Sequence, residues 1–90
     1  MVVLLLESVP ESLQGECSRL LIEVRSGVFI GSLSTRVREK LWELVKQHSE
    51  TGAAFIVYDF SNEQGFLMEM HGDPKRTIID IDELQMVRIK

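Results

Sequence analysis

Residues 23–42 read Glu23-Val24-Arg25-Ser26-Gly27-Val28-Phe29-Ile30-Gly31-Ser32-Leu33-Ser34-Thr35-Arg36-Val37-Arg38-Glu39-Lys40-Leu41-Trp42. Gly27 and Gly31 bracket an apolar run, Val28 to Ile30, which reads as a short strand. Upstream, Gly27 stands where a left-handed helix C-cap is expected. Downstream, Ser34 is a good helix N-cap. One short stretch therefore holds the end of a helix, a strand and the start of a second helix. Helices and strands alternate here, which points to a mixed α and β chain.

Working outward, the preceding helix is predicted over residues 9–25. Leu13, Cys17, Leu20, Leu21 and Val24 form one apolar face at spacings of i, i+4, i+7, i+8 and i+11. Ser8 stands three residues before Glu11, a capping-box spacing, with Pro10 at an early helical position. Gly15 inside that helix costs about 1 kcal/mol against alanine. It marks either a close backbone approach or an uncompensated weakness. Before the helix, Val2 to Leu6 is apolar throughout, as a strand covered on both faces would be.

The second helix is predicted over residues 35–51, with Val37, Leu41, Leu44, Val45 and His48 as its inner stripe and Gly52 ending it. Residues 53–60 and 65–71 read as the two strands of a hairpin. Gly72-Asp73-Pro74 breaks the chain, residues 77–82 alternate apolar and acidic, and residues 84–89 form a last strand. The order is β-α-β-α-β-β-β. The expected architecture is α+β: two helices on one face of a mainly antiparallel sheet, as in a ferredoxin-like sandwich.

Ninety residues form one domain, and one this small buries only about 60% of its unfolded surface, so oligomerisation is a common remedy. The chain is 44% hydrophobic, too apolar for a disordered segment. No apolar run approaches the roughly 18 residues that mark a membrane helix, so no membrane is expected. Val2 to Leu6 lacks the flanks of a signal peptide, and the expected compartment is the cytoplasm. The single cysteine, Cys17, excludes an internal disulfide and paired-cysteine zinc. His48 and His71 sit in no ligand-spaced motif. Cys17, on an apolar helix face, reads as plain core.

The net charge of −4 argues against a chain that coats nucleic acid by itself, so local charge matters more. Arg36 and Arg38 occupy the first turn of the second helix, where the dipole disfavours cations by about 0.3–1 kcal/mol. They are either two solvated arginines or, with the free backbone N–H groups, a phosphate site. On a helical wheel Arg36 groups with Lys40 and Arg38 with Trp42, on opposite flanks. Trp42 reads as a side wall of the core or as a partner contact. Lys75 and Arg76, on a turn, are solvated or extend a phosphate track. Glu7 ends the first strand, where a carboxylate either meets a helix dipole or helps to hold magnesium. Asp59, Asp80 and Asp82 are further carboxylates without evident convergence.

The stretch from Glu23 to Gly31, with Ser34, Arg36, Val37, Arg38, Glu39, Trp42 and Glu43, resembles the second CRISPR-associated protein (Cas two) of the type I-E subtype. The pattern Glu7-x-Val9-Pro10-x-x-Leu13-x-Gly15 fits too, as do Gly65-Phe66, Gly72, Arg76-Thr77, Asp80 and Asp82. The resemblance covers nearly the whole chain. It implies a ferredoxin-like homodimer held between two dimers of the CRISPR integrase, capturing double-stranded DNA for insertion as a new spacer. It matches Arg36, Arg38, Lys75 and Arg76 to residues that hold the duplex backbone, with no cofactor required. It also implies an alternative, a magnesium-dependent endonuclease with Glu7 at the dimer axis, where many relatives carry aspartate. Ser12 and Gln14 depart from the arginines that relatives place at the start of the first helix. The sequence also stops at Lys90, where relatives carry a tail that helps dock the integrase, so partner binding that is either reduced or differently arranged is expected.

Overall fold

The computed structural model describes residues 1–72, 76–81 and 84–89. Its elements are β1 (Val2–Glu7), α1 (Glu11–Ser18), β2 (Ile22–Arg25), β3 (Val28–Gly31), α2 (Thr35–His48), β4 (Ala53–Asp59), β5 (Phe66–His71), β6 (Arg76–Ile81) and β7 (Leu84–Ile89). β2, β3, β1, β4 and β5 lie side by side in that order, all neighbours antiparallel. The βαββαβ order with strands 2-3-1-4 is a ferredoxin-like arrangement, extended by β5. β6 and β7 form a separate two-stranded sheet.

The first helix is much shorter than its apolar spacing predicts. The backbone N–H groups of Leu20 and Leu21 both donate to the Cys17 carbonyl, at 3.1 and 3.0 Å, which tightens the last turn and ends it. The chain then enters β2, pairing Ile22 with Ile30 and Glu23 with Phe29. The ladder to β3 outweighs continued helical spacing, and β-branched Ile22 and Val24 suit an extended chain. Of the predicted stripe, Leu13, Cys17 and Leu21 are buried, while Leu20 and Val24 are exposed. Gly27 does adopt a positive φ, 78°, but at the β2–β3 turn. Its carbonyl accepts the Leu6 N–H at 2.8 Å, tying that turn to β1. Ser8 is a left-handed turn residue with φ 54°, not a cap, and Pro10 takes the N-cap of α1 without a side-chain bond.

α2 begins as read, with Ser34 Oγ accepting the Val37 N–H at 3.2 Å. Leu41, Trp42 and Val45 are its buried residues; His48 and Val37 are exposed rather than inside. Trp42 is therefore core wall. The stripe packs with Val2, Leu4, Leu6, Leu13, Cys17, Phe29, Ala54, Ile56 and Tyr58. β6, which the alternation of residues 77–82 did not mark as a strand, pairs with β7 from Arg76–Ile89 to Ile81–Leu84.

The sheet face away from the helices has its own pattern. Cross-strand partners line up Ile22, Ile30, Val3, Val57 and Met68 in one row, and Val28, Leu5, Phe55 and Met70 in the next. Phe55 is buried, Ile22 is exposed, and the rest are half-buried. Among the described residues no helix is long and apolar enough to cross a membrane.

Candidate nucleic-acid interface

The start of α2 brings the two arginines out in different ways. Arg36 is exposed and lines a shallow groove with Glu39, Lys40, Glu43, Leu44 and Gln47. Arg36 and Lys40 thus share one flank, as i and i+4 residues of a helix do. Lys46 is tied to Glu43 at 2.8 Å, whereas neither Arg36 nor Lys40 has an ion pair with another described residue.

Arg38 leaves on the other flank. Its guanidinium carbon lies 3.7 Å from the centroid of the Tyr58 ring, a cation–π stack. Its side chain is only 17% exposed, and one terminal nitrogen stands 4.0 Å from a Glu39 carboxylate oxygen. The Tyr58 hydroxyl donates to Glu69 Oε2 at 2.8 Å. Burial pushes the Tyr58 pKa up, and the Glu69 bond and charge add to it against the opposing Arg38 charge. The sequence does not show this arrangement directly, because Arg38, Tyr58 and Glu69 come from three different elements. The one available cue was the alternation that places Ala54, Ile56 and Tyr58 on the helix side of β4.

Glu7 is the last residue of β1 and is exposed. Val2, Leu4 and Leu6 join the core, so Glu7 shares the opposite face with Val3 and Leu5. It sits opposite Ala53, while Asp59 lies beyond Tyr58, the partner of Val2. Glu7 and Asp59 are thus at opposite ends of the β1–β4 ladder, about 20 Å apart at the rise of a strand. Asp59 pairs with the Met1 ammonium. Asp80 is exposed in β6, opposite Gln85. Asp82 lies outside the described residues. Among the described residues, no group of three or more His, Cys, Asp and Glu is arranged to hold a metal ion.

Arg76 opens β6 opposite Ile89; its side chain and the whole of Lys75 lie outside the described residues. His48 borders a groove between α1 and α2 with Ser12, Leu13, Glu16 and Leu44, and His71 ends β5. Cys17 is fully buried. Burial first, then the Glu16 and Glu23 charges, push its thiol up to about 11.

Residues 1–86 match the family model described as CRISPR-associated protein (Cas_Cas2CT1978). The chain belongs to this family. For this Cas2-type chain a CRISPR-associated function follows, with other CRISPR machinery as the setting in which partners are to be sought. Within this Cas2-type fold, Arg36 and Arg38 leave α2 on different flanks, and Glu7 lies on the helix-free sheet face.

Proposed function

We propose that this chain is a dimeric scaffold of CRISPR adaptation, of the type I-E kind, that holds the backbone of double-stranded DNA and bridges integrase dimers. The observation that carries the reading is the pair of apolar rows on the helix-free sheet face. Contiguous apolar surface of this kind marks an interaction site. A second copy packed sheet to sheet would cover it and leave α2 of each protomer on the outside. Arg36, Lys40 and Arg38 would then face solvent from both protomers, and Lys75 and Arg76 would extend the basic track. Leu84 and Met86 on one face of the β6–β7 hairpin, and Val87 and Ile89 on the other, are all exposed and offer apolar contacts for the integrase.

Fluorescence anisotropy with a short DNA duplex, with and without the integrase, tests this. Replacing Arg36 and Arg38 together by alanine should weaken binding and flatten its dependence on salt. Each phosphate that is no longer neutralised lowers the slope of log K against log salt by about 0.9. Unchanged affinity and slope would remove the phosphate role.

The second reading, a magnesium-dependent endonuclease on RNA or DNA, is favoured by the placement of Glu7 on that same sheet face. Face-to-face packing would put both Glu7 carboxylates on the surface the protomers share. One or two carboxylates with substrate phosphates are a usual magnesium set. Purified protein with Mg²⁺ should then cleave, and Glu7→Ala should abolish the cleavage.

A further inference from the structure

Arg36 and Arg38 are both first-turn arginines, yet only Arg38 is held. An arginine that grips a phosphate from free solution loses rotamer freedom as it binds, which weakens the grip. Arg38 has already lost much of that freedom against Tyr58. The stack occupies the face of the guanidinium and leaves its in-plane N–H donors at the edge. Glu39, at 4.0 Å, is beyond hydrogen-bond length and does not consume them. The ring is held in turn, since the Tyr58 hydroxyl donates to Glu69 at 2.8 Å. A phenol that donates to a carboxylate gains electron density, which strengthens the attraction of its ring for a cation. Tyr58 and Glu69 both lie on the helix side of the sheet, on neighbouring strands β4 and β5.

We infer that Tyr58, anchored by Glu69, is a positioning residue for duplex binding, holding the Arg38 guanidinium flat so that its edge meets one backbone phosphate. The inference rests on the duplex-scaffold reading and goes beyond it, because it makes a buried aromatic a determinant of DNA affinity.

A double-mutant cycle on the full chain, read by anisotropy with a short duplex and the integrase, tests it. Tyr58→Leu is expected to weaken binding about three- to tenfold in the wild-type background. In the Arg38→Ala background it should have no further effect, and Tyr58→Phe, which keeps the ring, should restore most of the affinity. The salt slope should fall with Arg38→Ala but not with Tyr58→Leu, which keeps the charge. An equal loss in both backgrounds, or none in either, overturns the inference. Arg38→Ala without effect on affinity or slope instead overturns the phosphate role itself. A second measurement needs no leucine variant. The Arg38 side-chain Nε–H resonance should be shifted upfield by the Tyr58 ring current, both free and with the duplex. A resonance at its ordinary position in both states overturns the inference directly.

Discussion

Gln85 on β7 binds both backbone groups of Met68 on β5 with its side-chain amide. Its Oε1 accepts the Met68 N–H at 2.6 Å, and its Nε2 donates to the Met68 carbonyl at 2.9 Å. A side chain thus does what a neighbouring strand would do. Gln64, in the β4–β5 turn, does the same for Gln85: Nε2 donates to its carbonyl at 2.7 Å and Oε1 accepts its N–H at 2.9 Å. Among the described residues, the amides of Gln64 and Gln85 join the hairpin to the edge of the main sheet, and the two sheets share no ladder.

Gln85→Ala should therefore loosen the hairpin without unfolding the core. Losing the partners of a half-buried backbone pair costs about 1–3 kcal/mol locally. Hydrogen exchange should speed up at Met68 and along β6–β7, while β1 and β4 keep their protection. Equal acceleration in β1 would mean that the hairpin and the core unfold together.

Gly15 lies in the middle of α1, and a Cβ there would meet nothing within 4 Å. The close backbone approach weighed for it from sequence does not occur; the weakness does. Gly15→Ala should raise stability by about 0.5–1 kcal/mol, read as a higher urea midpoint with an unchanged slope.

Cys17 sets an alkaline limit on stability. Its folded pKa, about 11, lies above the ordinary thiol value of 9.0. The unfolded chain therefore loses its proton first as pH rises. The contribution of the buried neutral thiol is complete below pH 9 and lost between about 9 and 11, on the order of 3 kcal/mol. The raised Tyr58 pKa acts in the same direction at higher pH. Denaturation midpoints from pH 8 to 11 should fall less steeply in Cys17→Ala, once its lower baseline is subtracted.

Val3 tests the proposed dimer face without touching the core. It is half-buried, at the centre of the row from Ile22 to Met68. Val3→Arg should convert a dimer to a monomer in light scattering at micromolar concentration, with the far-ultraviolet circular dichroism retained. A dimer that survives the substitution would place the interface elsewhere.

How much of this was legible in the sequence follows from the range of the forces involved. α2 announced itself through Ser34, a long stripe and Gly52. β1, β3, β4 and β5 were readable from apolar runs between turn residues. The first helix overran because Leu20, Leu21 and Val24 keep helical spacing, and only the ladder from Ile22 to Ile30 turns residues 22–25 into a strand. That strand completes the ferredoxin-like sheet, so the fold class was reached while one of its four defining strands was missed. His48 fit the inner stripe by spacing but is exposed, and at this end of α2 it is the C-cap Ser49, four residues after Val45, that is buried. At the site, Arg36 and Arg38 were visible as charges out of place. The partner that separates them, Tyr58, is a tertiary contact, and local pattern carries no trace of it.

Glu7 has a bearing on folding that is independent of any chemistry. From Val2 to Leu6 either set of alternate side chains is apolar enough to sit beneath the helices. Sliding β1 by one position between β3 and β4 would exchange the two sets. The slipped pairing would drive the Glu7 carboxylate toward the core beside Ala54, where a charge is costly to bury. The residue thus polices strand alignment in the centre of the sheet. Neutral substitutions there put the fidelity of assembly at stake as well as any metal.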